Sequence, residues 1–279
     1  MEQANKIEEQ TTGTQKSVFP TMGDLLSMLG IFFGVQLVVS LISSLVLLVM
    51  GRSVAVLEPL ELGRFMAFTS LVSLSATALL IELYRCYRQA PKVRVLLGFK
   101  GMNPLLVVWC FALMLAASVA LEPLYELLPV PHQDPGRGWW AFFAVVVVAP
   151  LFEEWICRGV IFGALRLRYG VVVSMVLSAL VFGLMHVQPV PVLNAFVLGL
   201  VLAFIYHKTK TLWSSILLHA LYNGMAFALT LAGFGERSFR SLFGEHEALY
   251  WMAYGVALLL LLISFFAIRK ILKRSPEVC

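Results

Sequence analysis

The chain has 279 residues, 60% hydrophobic and 13% charged, with a formal net charge of +5, and its mean hydropathy is +0.87. A soluble domain carries about 25% charged residues, and no water-soluble fold of this length hides so much apolar surface. Composition therefore excludes a soluble protein and predicts a multi-pass membrane protein, with the lipid bilayer as its surroundings.

The first 22 residues are polar and mixed in charge, so residues 1–22 are expected to form a disordered cytoplasmic tail. They lack the basic stub and short apolar core of a cleavable signal peptide. Apolar runs able to cross about 30 Å of hydrocarbon at about 1.5 Å per residue follow at roughly 24–50, 65–84, 103–122, 139–165, 172–187, 192–206, 211–232 and 249–268. The fifth and sixth are the shortest, and the tight connection "QPVPV" joins them. The expected fold is all-α, a transmembrane bundle of about eight spans. Residues 23–279 read as one transmembrane domain, without internal repeats or a second boundary.

Lysine and arginine placement sets the orientation. With the N-terminus inside, 15 basic residues fall on the inner side and 5 on the outer, and only Arg158 remains within a span. This predicts N-in and C-in ends, and it explains the positive charge as a topology signal; no nucleic-acid partner is expected. The basic loop "RCYRQAPKVRVLLGFKG" at 85–101 reads as a positive-inside anchor. Cys86, Cys110, Cys157 and Cys279 contain no C-x-x-C pair and indicate neither a disulfide framework nor a thiolate metal site. Cys279 is the last residue and cannot be the cysteine of a prenylation box.

From Trp139 to Ala232 the only acidic residues are Glu153 and Glu154, inside "VVVVAPLFEEWICRGVIFGAL". An ionised group at the bilayer centre costs about 2.5–3.5 kcal/mol on insertion scales, so each needs a reason to be there. Glu154 and Arg158 are spaced i, i+4 and share a helix face, with the acid on the favoured N-terminal side. Glu153 lies about 100° around the helix and has no such local partner. His186 follows Phe182 by one turn, and His219 and Asn223 lie i, i+4 on another span. Each alone could be interhelical hydrogen-bonding glue, and Asn194 is read that way. Together, on nearby spans with little else polar, Glu153, Glu154, Arg158, His186, His219 and Asn223 read as one functional cluster. A carboxylate and a neutral imidazole can activate water, while a second imidazole and a carboxamide can donate to an oxyanion. The set suits peptide hydrolysis. Neither Ser178 nor Cys157 has a histidine at an obvious partner spacing for nucleophilic attack.

"EEWICR" (153–158) fits E-E-x-x-x-R, "FGLMH" (182–186) fits F-x-x-x-H and "HALYN" (219–223) fits H-x-x-x-N. In this order the motifs resemble the CPBP intramembrane proteases, which include type II CAAX prenyl endopeptidases and bacterial immunity-type relatives. The likeness covers about 139–228. It implies Glu153 as general base with His186 assisting, His219 and Asn223 as the oxyanion hole, and Glu154 with Arg158 as a supporting pair. It implies no obligatory cofactor for a glutamate-type enzyme, although Glu153, His186 and His219 could in principle hold zinc. The expected partner is a membrane-anchored protein or peptide substrate, and the expected location a bacterial inner membrane. Two rivals are a catalytically idle scaffold of the same fold that binds a membrane partner, and a proton relay or transporter. The latter class shows repeated halves with broken helices, and the sequence has neither.

Overall fold

Backbone amides in hydrocarbon must be satisfied within their own segment, which favours helices. The computed structural model describes residues 19–91, 95, 97–99, 101–129, 136–235 and 238–274, and these contain helices and turns but no strand. The predicted tail falls mainly outside the described residues, as do Cys279 and five residues of the basic loop. Phe19, at the tail's end, is buried, and α1 starts at Met22 behind a Thr21–Asp24 capping box.

The principal helices are α1 (Met22–Val49), α2 (Pro59–Tyr87), α3 (Pro104–Ala120), α6 (Pro189–Thr209), α7 (Leu212–Leu231) and α8 (Glu247–Arg274). Between α3 and α6 a 47-residue stretch, Gly138–Leu184, is apolar enough to cross a membrane. It is broken at Gly170, whose φ of 76° and ψ of 179° are not helical, and so divides into α4 (138–169) and α5 (171–184). The Ser178 hydroxyl donates to the Cys157 carbonyl at 2.8 Å, and Cys157 Sγ lies 3.7 Å from Met185 Sδ. These contacts fold α5 back along α4 as an antiparallel hairpin. Among the described residues six helices are long and apolar enough to cross a membrane, and α3 is a shorter apolar helix. Counting the break at Gly170, the described residues form eight rods, as the hydropathy predicts.

The bundle's ends sort into two groups. At one, Asp24 accepts from the Tyr84 hydroxyl at 2.6 Å and pairs with Arg88 at 2.8 Å. Arg168 donates to the Pro20 carbonyl at 3.1 Å. At the other, Arg137 N–H donates to the Pro59 carbonyl at 2.8 Å, and Arg52 pairs with Glu61 at 2.6 Å. The predicted inner residues Arg88 and Arg168 thus fall together, apart from the predicted outer residues Arg52 and Arg137.

Chains of exposed apolar residues run along α1 and α8, Leu41, Leu45 and Phe266 among them, as lipid-facing surfaces should. The central rod is α4, whose Ile156, Cys157, Arg158, Val160, Ile161 and Phe162 are all buried. Gly170 makes its return possible. Its conformation is essentially reserved for glycine, while a Cβ there would meet nothing within 4 Å. Gly170→Ala should therefore cost stability through backbone strain alone, about 1–3 kcal/mol, read as a lowered thermal midpoint of the purified protein.

Candidate active site

The site is built on two irregular turns of α4. Residues Phe143–Val148 and Trp155–Phe162 adopt wider π-helical turns, a form frequent at functional sites. The first has a cause in the sequence. In this register the Ala149 N–H bonds the Ala144 carbonyl, so the next carbonyl, Val145, should receive the N–H of residue 150. Residue 150 is proline and has none. The Asn223 side-chain amide of α7 fills the gap, donating to the Val145 oxygen at 2.9 Å.

Just beyond Pro150 come the two glutamates. Glu154 and Arg158 are both fully buried and paired at 2.9 Å, as their spacing predicts. The pair extends further. Arg158 Nη2 donates to the Gly199 carbonyl of α6 at 3.0 Å, and its guanidinium carbon sits 4.5 Å from the centre of the Phe182 ring. Glu154 Oε1 also meets His219 Nδ1 at 3.1 Å. On the ring's other side, His219 Nε2 lies 3.8 Å from Glu153 Oε2. His219 therefore stands between both carboxylates, an arrangement that the motif spacings do not reveal. The two carboxylates against one guanidinium leave one formal negative charge, on Glu153, for the imidazoles and solvent to offset.

His186 is held differently. Helix α5 ends at Leu184, the His186 N–H turns back to the Gly183 carbonyl, and the Phe182 carbonyl is left for the His186 ring, 2.9 Å from Nδ1. A carbonyl can only accept, so Nδ1 carries hydrogen and the neutral ring presents a bare Nε2. The Phe182 ring lies edge-on to both histidines, at 5.0 Å from His186 and 5.3 Å from His219. Phe182 is thus the apolar post against which one guanidinium and two imidazoles are set.

His186, His219 and Asn223 line a common cavity of about 280 Å³ between α3, α5, α6 and α7, near the lower end of the range for small-molecule sites, ~300–1,000 Å³. Glu153 is not among its lining side chains and adjoins it through His219. Its side chain keeps 16% of its surface exposed, whereas that of Glu154 keeps none. The cluster expected from sequence thus comes together, with three members on the cavity wall, one beside it, and a strut of Glu154 and Arg158 behind.

The cavity holds further polar groups that spacing did not single out. Asn194, expected as interhelical glue, accepts from the hydroxyls of Ser118 and Tyr125 at 3.0 Å each and donates to the Tyr222 hydroxyl at 3.1 Å. It does bridge helices, and all four residues also line the cavity. The available signal was Tyr222 beside Asn223; Ser118 and Tyr125 carry none.

The zinc alternative can be tested against the donor atoms. Among the described residues no three His, Cys, Asp or Glu side chains are grouped to hold a metal ion, and His219 already has Nδ1 engaged with Glu154. Zinc needs ligands about 2.0–2.3 Å from one point. Glu153, His186 and His219 offer suitable chemistry without that convergence, so no step is assigned to a metal.

Close packing behind the site depends on Gly199. A Cβ there would come within 3.1 Å of Ala179 and of the Phe182 ring. Gly199→Ala is expected to displace Phe182 and the carbonyl that receives Arg158, costing about 1–3 kcal/mol in thermal stability.

Fold and site together define a multi-pass helical membrane protein with an acid–imidazole centre inside its bundle. Residues 135–225, which contain every one of these motif residues, are similar to the family described as type II CAAX prenyl endopeptidase Rce1-like. The "Putative membrane peptidase YdiL" of Bacillus subtilis (strain 168) is 32% identical over 85 residues, 30% of this chain and 35% of that protein. The "UPF0177 protein in abiGi 5'region" of Lactococcus lactis subsp. cremoris is 31% identical over the same shares of each. The chain thus spans about a third of the length of the curated relatives it matches. No solved structure matches it.

Proposed function

We propose that this chain is an intramembrane endopeptidase, of a bacterial inner membrane, that cuts a membrane-anchored protein or peptide with a water activated by Glu153. The observation carrying this reading is the approach of Glu153 Oε2 to within 3.8 Å of His219 Nε2, on a ring that lines the same cavity as His186 and Asn223. That distance is too long for a direct hydrogen bond and leaves room for adjustment or a bridging water when substrate binds.

Glu153 takes a proton from water, with the bare Nε2 of His186 as second acceptor, and the hydroxide adds to the scissile carbonyl. The oxyanion receives an N–H from His219 Nε2, whose ring Glu154 holds at Nδ1, and the second amide hydrogen of Asn223. The proton on Glu153 then passes to the leaving amine, which regenerates the carboxylate. No covalent enzyme intermediate and no metal is required. The Rce1-like description of residues 135–225 supports the peptidase class.

The test is terminal proteomics of membranes from cells carrying the native chain or Glu153→Gln. Fragments that vanish in the variant, with its protein level unchanged, support the reading. Identical fragment sets would favour the idle scaffold.

A further inference from the structure

Resting on the peptidase reading, we infer that Ser118, Tyr125, Asn194 and Tyr222 form a subsite that binds the backbone of an extended substrate peptide and sets which bond reaches the catalytic groups. The four come from α3, the single turn Glu122–Tyr125, α6 and α7, and they share a cavity wall with His186, His219 and Asn223. Tyr222 adjoins Asn223 in sequence, so one member of the quartet and the oxyanion donor are carried on the same turn of α7.

Counting donors shows what the quartet can offer. Asn194 Oδ1 faces two hydroxyls, those of Ser118 and Tyr125, which fills both of its lone pairs. One Asn194 N–H goes to the Tyr222 oxygen, and the Tyr222 hydroxyl lies 2.8 Å from Ser118 Oγ. The Ser118 hydroxyl, also near the Met114 carbonyl at 3.1 Å, has only one hydrogen; donating it inward leaves Ser118 to accept from Tyr222. The closed set then retains one N–H on Asn194 without a partner among the described residues, and an unused acceptor on the Tyr125 oxygen. A fixed donor and a fixed acceptor are what one peptide unit matches, through its C=O and N–H. Glue between helices needs no cavity and no spare hydrogen; this network has both. The remaining lining includes Met114, Leu198 and Leu202, so the occupant is an uncharged peptide segment with apolar side chains.

The test uses the full chain in lipid nanodiscs and N-palmitoylated, internally quenched ten-residue peptides. The lead peptide is the library member cleaved fastest, or bound most tightly if none is cleaved. It is remade as a series in which one backbone amide at a time becomes an ester, which deletes an N–H and weakens a carbonyl acceptor. Binding is measured to Glu153→Gln and to Glu153→Gln with Asn194→Ala, and cleavage is measured with the native Glu153. One ester position should weaken binding roughly tenfold, the scale of one neutral hydrogen bond. With Asn194→Ala that penalty should disappear. If alanine unfolds the protein, Asn194→Asp, which keeps the shape and acceptor oxygens but loses both N–H donors, must show the same loss. A penalty undiminished by these variants, or no peptide binding at all, overturns the subsite. Cleavage with an unchanged ester penalty removes the subsite and spares the peptidase reading. An Asn194-dependent penalty without cleavage in any background does the reverse.

Discussion

Glu153→Gln is expected to abolish peptide cleavage while leaving the protein folded. Glutamine matches the shape but cannot take a proton from water, and loss of a general base costs about 10²–10⁴ in rate. The side chain is partly exposed and makes no close ion pair, its nearest charged partner being His219 Nε2 at 3.8 Å. Its replacement should therefore leave the thermal midpoint nearly unchanged. The check is kcat in proteoliposomes beside a melting curve of the same preparation. Wild-type kcat in the variant would remove the base assignment.

Arg158→Ala should do the opposite and act first on stability. Arg158 is fully buried, bonded to Glu154 and to the Gly199 carbonyl, and its loss strands the Glu154 carboxylate with only His219 beside it. Breaking one side of a buried pair costs about 3–5 kcal/mol. Pairing Arg158→Met with Glu154→Gln should recover much of that, since removing both charges also removes the stranded one. A midpoint for Arg158→Ala equal to that of the parent would contradict the strut, and a double variant no better than the single would place the loss in packing instead.

Much of this was legible in the chain. Hydropathy located the rods because lipid imposes a length and a composition on every crossing. The Glu154–Arg158 contact was legible because helical spacing decides it, and so was the gathering of Glu153, His186, His219 and Asn223, because so few polar residues share those spans. What escaped were contacts fixed by packing between helices. His219 sits between both glutamates because α7 lies against α4 at that level, and no spacing within either motif encodes that. The quartet around Asn194 draws on residues 118 to 222, and Ser118 and Tyr125 resemble ordinary membrane residues until the bundle closes. Nor does sequence tell that Glu153 stands beside the cavity instead of on its wall.

The proline two residues after Val148 gives the carboxamide of Asn223 a second employment. Because Pro150 withholds an amide hydrogen from Val145, Asn223 also stitches α7 to α4 at that gap. Activity lost on truncating Asn223 would therefore mix chemistry with a loosened seam. Supplying the missing hydrogen from the backbone, by changing Pro150, is the manipulation that would separate the two.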